Sequence, residues 1–155
     1  MNVGHQNTAK HIRSVFFGGN WTCSNFKNQL ADISWEQAIE KHEGFNTITM
    51  LTYHIGYFIS AQLQVMQGGP LDAHDKFSYK HPTINSKADW DEMIEKILNE
   101  AEELATLIEQ MPDKKMEDAF ANSKYGSNYF NFHGMIEHSH YHLGQIVILK
   151  KLIKK

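Results

Sequence analysis

The run His138-Ser139-His140-Tyr141-His142 sets three imidazoles at alternate positions. Imidazole can ligate a metal, shuttle a proton or satisfy a polar group inside a core. Alternation along a β-strand would put all three rings on one face, a ready triad for a metal. On a helix, at about 100° per residue, His138 and His142 lie about 40° apart while His140 points about 200° away. The secondary structure of this run therefore decides which histidines share a ligand. Phe132, Met135, Ile136, Leu143, Ile146, Val147 and Leu149 recur around it at steps of three and four. The segment also continues for about 25 residues without a turn signal, too long for an ordinary strand. Although "IVIL" is locally β-prone, the pattern predicts a helix, and His140 leaves the trio.

On that helix Met135, His138, His142, Gln145 and Leu149 form one line. A second apolar stripe, Thr47, Leu51, His54, Phe58, Ala61 and Val65, carries a single ionisable group, His54, with no acidic residue between Glu43 and Asp72. An unpartnered buried polar group costs on the order of 1–3 kcal/mol, so His54, His138 and His142 need partners, and in a bundle they can face one another. Three neutral imidazoles meeting in an apolar interior suit Zn²⁺ or a similar borderline divalent ion, with one position open to water or substrate. The other reading has the three rings hydrogen-bonded in the core without metal. His5, His11, His42, His74, His81 and His133 fall in polar, terminal or loop settings and read as surface groups.

Competing chemistry lacks its residues. There is no H-E-x-x-H, no G-x-S-x-G, no P-loop and no G-x-G-x-x-G. Glu137 and His140 make one E-x-x-H, but a carboxylate-bridged di-iron bundle needs a second such motif and glutamates on the other helices. Cys23 reads as core filler on a helix rather than as a nucleophile.

The elements that must position the histidines are punctuated by Pro70, Pro82 and Pro112. A first helix is expected from Thr8 to Ala31, interrupted by Gly18-Gly19, each glycine costing roughly 1 kcal/mol against alanine and marking a kink or a close approach. Ser34 and Gln37 have the spacing of a capping box, which predicts a short helix in "SWEQAIEKH". Asn46 or Thr47 caps a second main helix that stops at Gly68-Gly69-Pro70. The polar stretch from Pro70 to Asn85 is long enough to suggest a functional or crossover segment. Ser86 with Asp89 opens a third helix, and a second long connection, Pro112 to Ser127, leads into the fourth. The expected class is all-α, a four-helix bundle with long connections between helices two and three and between three and four.

Bulk properties narrow the function. With 155 residues, 41% hydrophobic and 21% charged, the chain is expected to form one domain over residues 1–155 with a single core. A net charge of −3 argues against general affinity for nucleic acid. Lys150, Lys151, Lys154 and Lys155 are expected to complement a helix C-terminus. No leader pattern is visible at the N-terminus, no apolar run is long enough to span a membrane, and the single cysteine fits a reducing compartment. The expected location is the cytoplasm.

"LTYHIGYFI", with one histidine in an apolar run, and "HSHYHLGQI", with two histidines four apart before a Gly-Gln-aliphatic step, resemble the second- and fourth-helix motifs of the DinB/YfiT-like superfamily. "GGNWTCSNF" is similar to a feature of one subgroup. The resemblance implies a metal triad of His54, His138 and His142, a four-helix bundle that is commonly a homodimer, and one divalent ion, zinc or nickel. Where the family often has an acidic or other residue between the last two ligands, this chain has "SHY", which leaves the ligands untouched. The resemblance implies a metal-dependent enzyme acting on a small molecule, either a thiol-dependent S-transferase using a low-molecular-weight thiol or a hydrolase. A water or thiolate would take the fourth position. Gln145 is the expected second-shell or substrate contact, with Trp21, Asn25 and Tyr57 as candidates for the pocket wall. The alternative is a non-catalytic, metal-binding, stress-related dimeric bundle, distinguished by four protein ligands rather than three.

Overall fold

The computed structural model describes residues 4–154 and is helical throughout its long elements. The first helix, α1 (Gly4–Phe17), buries Thr8, Ala9, Ile12, Val15 and Phe16, the three- and four-residue spacing of one inward stripe. It does not run on to Ala31 as expected. Gly18 and Gly19 take φ values of +115° and +94°, a left-handed pair that no helix accommodates, so the glycines terminate rather than kink it. The Asn20 side chain then bridges Ser14 O and Ser24 O, at 2.7 Å each, and turns the chain back. Cys23 lies in this turn at φ +53°, exposed, and is not the helical core filler expected.

Two short helices follow, α2 (Phe26–Leu30) and α3 (Trp35–Ala38). The capping box forms as its spacing predicts: Gln37 N–H donates to Ser34 Oγ and Ser34 N–H donates to Gln37 Oε1. Of the two candidate caps for α4 (Ile48–Met66), Thr47 is the one used, accepting from Met50 N–H at 3.1 Å. Ser86 caps α5 (Lys87–Gln110) and Ser127 caps α6 (Asn128–Ile153) in the same way. The connection before α5 contains one 3₁₀ turn, Asp75–Phe77, and the connection before α6 contains two.

The four long helices close into a ring. α1 packs on α5 and α6, and α4 packs on the same two, so α1 and α4 stand diagonally opposite. Ile12, Phe16, Ile55, Ile59, Leu104, Ile108, Phe132 and Ile146 fill the centre. At Gly56, a Cβ would lie 2.4 Å from Ile97 Cγ1, so the absent side chain is what lets α4 and α5 approach. Trp90 Nε1–H donates to Ile33 O across 3.0 Å and ties the first connection to α5. At the basic end of α6, Lys150 and Lys154 both reach Asp32 at 2.5 Å, and their ammonium groups hold its carboxyl down to about 2. Lys155 lies outside the described residues. Among the described residues no helix is long and apolar enough to cross a membrane.

Candidate metal centre

Because α4 and α6 are neighbours in the ring, the middle of one helix faces the middle of the other. His54 comes from α4, and His138 and His142, one turn apart, come from α6. Ring nitrogens of all three lie within 4.8 Å of one another. His54 and His142 are each 7% exposed, and His138 is half-buried. The rings meet at 55°, 85° and 75° with centroids 4.5–4.8 Å apart, so they converge edge-on rather than stack.

Hydrogen bonds fix which nitrogen two of the three rings present. His54 Nδ1 lies 2.9 Å from Ser78 Oγ, and that hydroxyl donates its own proton to Asp75 O at 2.8 Å. Ser78 can therefore only accept from His54 Nδ1–H, which leaves the lone pair on Nε2. His142 Nδ1 donates to Gln145 Oε1 at 2.7 Å and likewise frees Nε2. His138 Nε2 stands 2.9 Å from His54 Nε2. Two nitrogens around one tetrahedral zinc, with Zn–N near 2.0–2.1 Å, stand about 3.3 Å apart. The pair is within a few tenths of an ångström of that spacing. The donor set, its tautomers and its spacing thus fit a borderline divalent ion, and the three histidines could hold one.

Aromatic side chains close the surroundings. Tyr79 stacks on His54 at 4.0 Å and 7°, Phe58 sets its edge to His54 and His138, and Tyr141 stands beside His142. Burial in this collar disfavours the imidazolium and pushes His54 down to about 4, with the neighbouring His142 adding to the effect. Burial also lowers His138 to about 4, helped by His142 and His54. Both rings are therefore neutral at neutral pH, and an incoming ion would displace the single proton that His138 Nε2 donates to His54 Nε2.

Gln145 lies against His142 in the structure, while Trp21, Asn25 and Tyr57 make other contacts. Trp21 is 102% exposed, because the glycine stop on α1 throws the following turn outward. Asn25 is buried but caps α2, accepting from Asn28 N–H. Tyr57 accepts from His74 N–H at 2.8 Å and lines a separate cavity between α4 and α5. His140 does leave the trio and lies against His11 on α1, with ring centroids 6.2 Å apart. His11 and His74 are exposed as expected, whereas His5, His42, His81 and His133 are half-buried. His5 is held by Asp113, and His133 by Thr8. Ser78 and Tyr79 were not singled out from sequence. The one signal for them was the length of the polar connection they occupy.

A family model for the DinB superfamily matches residues 21–146, a span that contains all three histidines. No curated protein and no solved structure matches the chain. With most of its length covered by that model, the chain belongs to the DinB superfamily.

Proposed function

We propose that the chain is a metal-dependent enzyme acting on a small molecule. His54, His138 and His142 hold one divalent ion, zinc or nickel, and a low-molecular-weight thiol or a water is the reacting nucleophile. The observation that carries this reading is the convergence of three imidazoles of which two have their Nδ1–H groups tied away by Ser78 and Gln145. When bound, such an ion supplies Lewis acidity, which lowers the pKa of a thiol or water so that it reacts as its anion near neutral pH. Ser78 and Gln145 orient the ligand rings, while Phe58 and Tyr79 keep the surroundings low in polarity. That arrangement is compatible with either S-transfer or hydrolysis.

Among the described residues no fourth histidine, cysteine or carboxylate joins the group. A structural site is usually closed by four protein ligands, so this count favours catalysis over a purely structural, stress-related role. Among the described residues one continuous core, from Ala9 to Leu149, supports a single domain. Tyr141, Ile148 and Leu152 are exposed at steps of seven and four on α6, which supports a homodimer through that face.

The test is elemental analysis of purified protein, followed by titration of the cobalt-substituted form with small thiols. One ion per chain and a near-ultraviolet sulfur-to-cobalt band are expected. Unchanged metal content in His142→Ala would refute the ligand assignment, and absence of the band would remove the thiol.

A further inference from the structure

A cavity of about 610 Å³ opens between α4, α5 and the connection that joins them, apart from the three histidines. Its size falls in the usual range for small-molecule sites, roughly 300–1,000 Å³. The lining has two parts. Tyr53, Tyr57, Met93, Ile97 and Ile84 form an apolar, aromatic portion. Tyr53 and Tyr57, one turn apart on α4, set their rings 6.3 Å apart at 44°, and Tyr53 meets the His81 ring at the same distance. The polar portion combines Asp72, Asp89 and Glu92 with one ammonium, Lys96, and the neutral Ser60, Gln64 and Thr83.

Those charges are unequally committed. Lys96 is engaged by Glu100 at 2.6 Å and by Ser60, so its charge is met on the helix surface. Asp89 accepts from Asn85 N–H at the start of α5, and Asp72 contacts His74. Glu92 has no hydrogen-bond or ion-pair partner among the described residues. A pair of tyrosine rings beside surplus carboxylate favours a positive charge carried on an apolar body, through the ring quadrupoles and through Coulomb attraction together. An anion meets repulsion, and a neutral analogue gains only the apolar contact.

We propose that this cavity is a binding site for a small organic cation, an alkyl- or arylammonium, seated against Tyr53 and Tyr57 with Glu92 as its charge partner. The reading goes beyond the metal centre and does not depend on it. Calorimetric titration of the full chain with benzyltrimethylammonium, benzyl alcohol and benzenesulfonate tests the class of ligand. Methyl NMR of ¹³C-methionine protein locates the site, with the Met93 signal identified by Met93→Leu. The cation should bind at least fivefold more tightly than the alcohol, benzenesulfonate should not bind, and the Met93 methyl should shift. Glu92→Gln should weaken the cation at least threefold and leave the alcohol unchanged, while Tyr57→Leu should abolish binding of both. Glu92 is exposed, so its variant decides the question even where Tyr57→Leu fails to fold. Equal affinity for the three probes, an unmoved Met93 signal, or a Glu92→Gln variant that binds the cation as wild type does would each overturn the proposal.

Discussion

Ser78 Oγ accepts a hydrogen bond from His54 Nδ1–H and donates its own to the carbonyl of Asp75. A serine from the connection between α4 and α5 thus selects the tautomer of a ring in the middle of α4. Ser78→Ala removes the acceptor and leaves a buried N–H unpaired, at a cost of about 1–3 kcal/mol. Metal affinity should fall about 10- to 100-fold, the usual penalty for losing a group that orients a ligand. Competition with a chromogenic chelator measures it. A serine that merely fills space would leave affinity unchanged.

Gln145 does for His142 what Ser78 does for His54, but from the same helix, three residues on. Gln145→Leu keeps a side chain of similar size and deletes the acceptor, so its effect should resemble that of Ser78→Ala. His142→Ala should go further and abolish stoichiometric metal at neutral pH, read by elemental analysis with circular dichroism confirming the helix content.

The buried histidines also make metal-free protein sensitive to acid. His54 and His138 titrate near 4 in the fold and near 6.5 when unfolded. Between those values the unfolded chain binds more protons than the folded one, so stability rises with pH across the window. Urea midpoints of metal-free protein should be level above about pH 7, then decline progressively from pH 6.5 towards 4. His138→Leu should flatten part of that decline. Asp32 acts in a separate, lower window. Its carboxyl is held near 2 by Lys150 and Lys154, so that contribution is lost only as pH falls from the ordinary carboxylate range through 2.

At Gly56 the prediction concerns packing. A methyl there meets Ile97 Cγ1 at 2.4 Å and Cδ1 at 2.6 Å, so Gly56→Ala should destabilise by about 1–3 kcal/mol through overpacking. In an Ile97→Ala background, itself destabilised by about 2–5 kcal/mol, the Gly56→Ala change should cost less, because the two changes share one space. A double-mutant cycle in urea gives the coupling, and strict additivity would contradict the close approach.

How far the site could be read from sequence follows from where periodicity exists. The helical period joined His138 to His142 and turned His140 away, and a stripe otherwise free of charge singled out His54. Capping spacings at Ser34 and Ser86 located helix starts for the same local reason. Gly18-Gly19 was misread because consecutive glycines fit a kink and a stop equally well, and only the positive φ values separate them. That one misreading also displaced Cys23 from the helix it was expected to occupy. Ser78 and Tyr79 sit in a segment with no period at all, and what brings them to His54 is a three-dimensional path that local pattern does not encode.

The Tyr79 ring lies flat on His54 although the two residues belong to different kinds of structure, one to a helix and one to the segment that crosses its face. Grip and temperament are thereby supplied by separate parts of the polypeptide. Substitutions between Pro70 and Asn85 could retune how tightly the first imidazole is held, and how oily its neighbourhood is, while the bundle's helical contacts stay as they are. Diversification of reactivity within this architecture is then cheapest in that crossing segment, and libraries seeking altered chemistry should begin there.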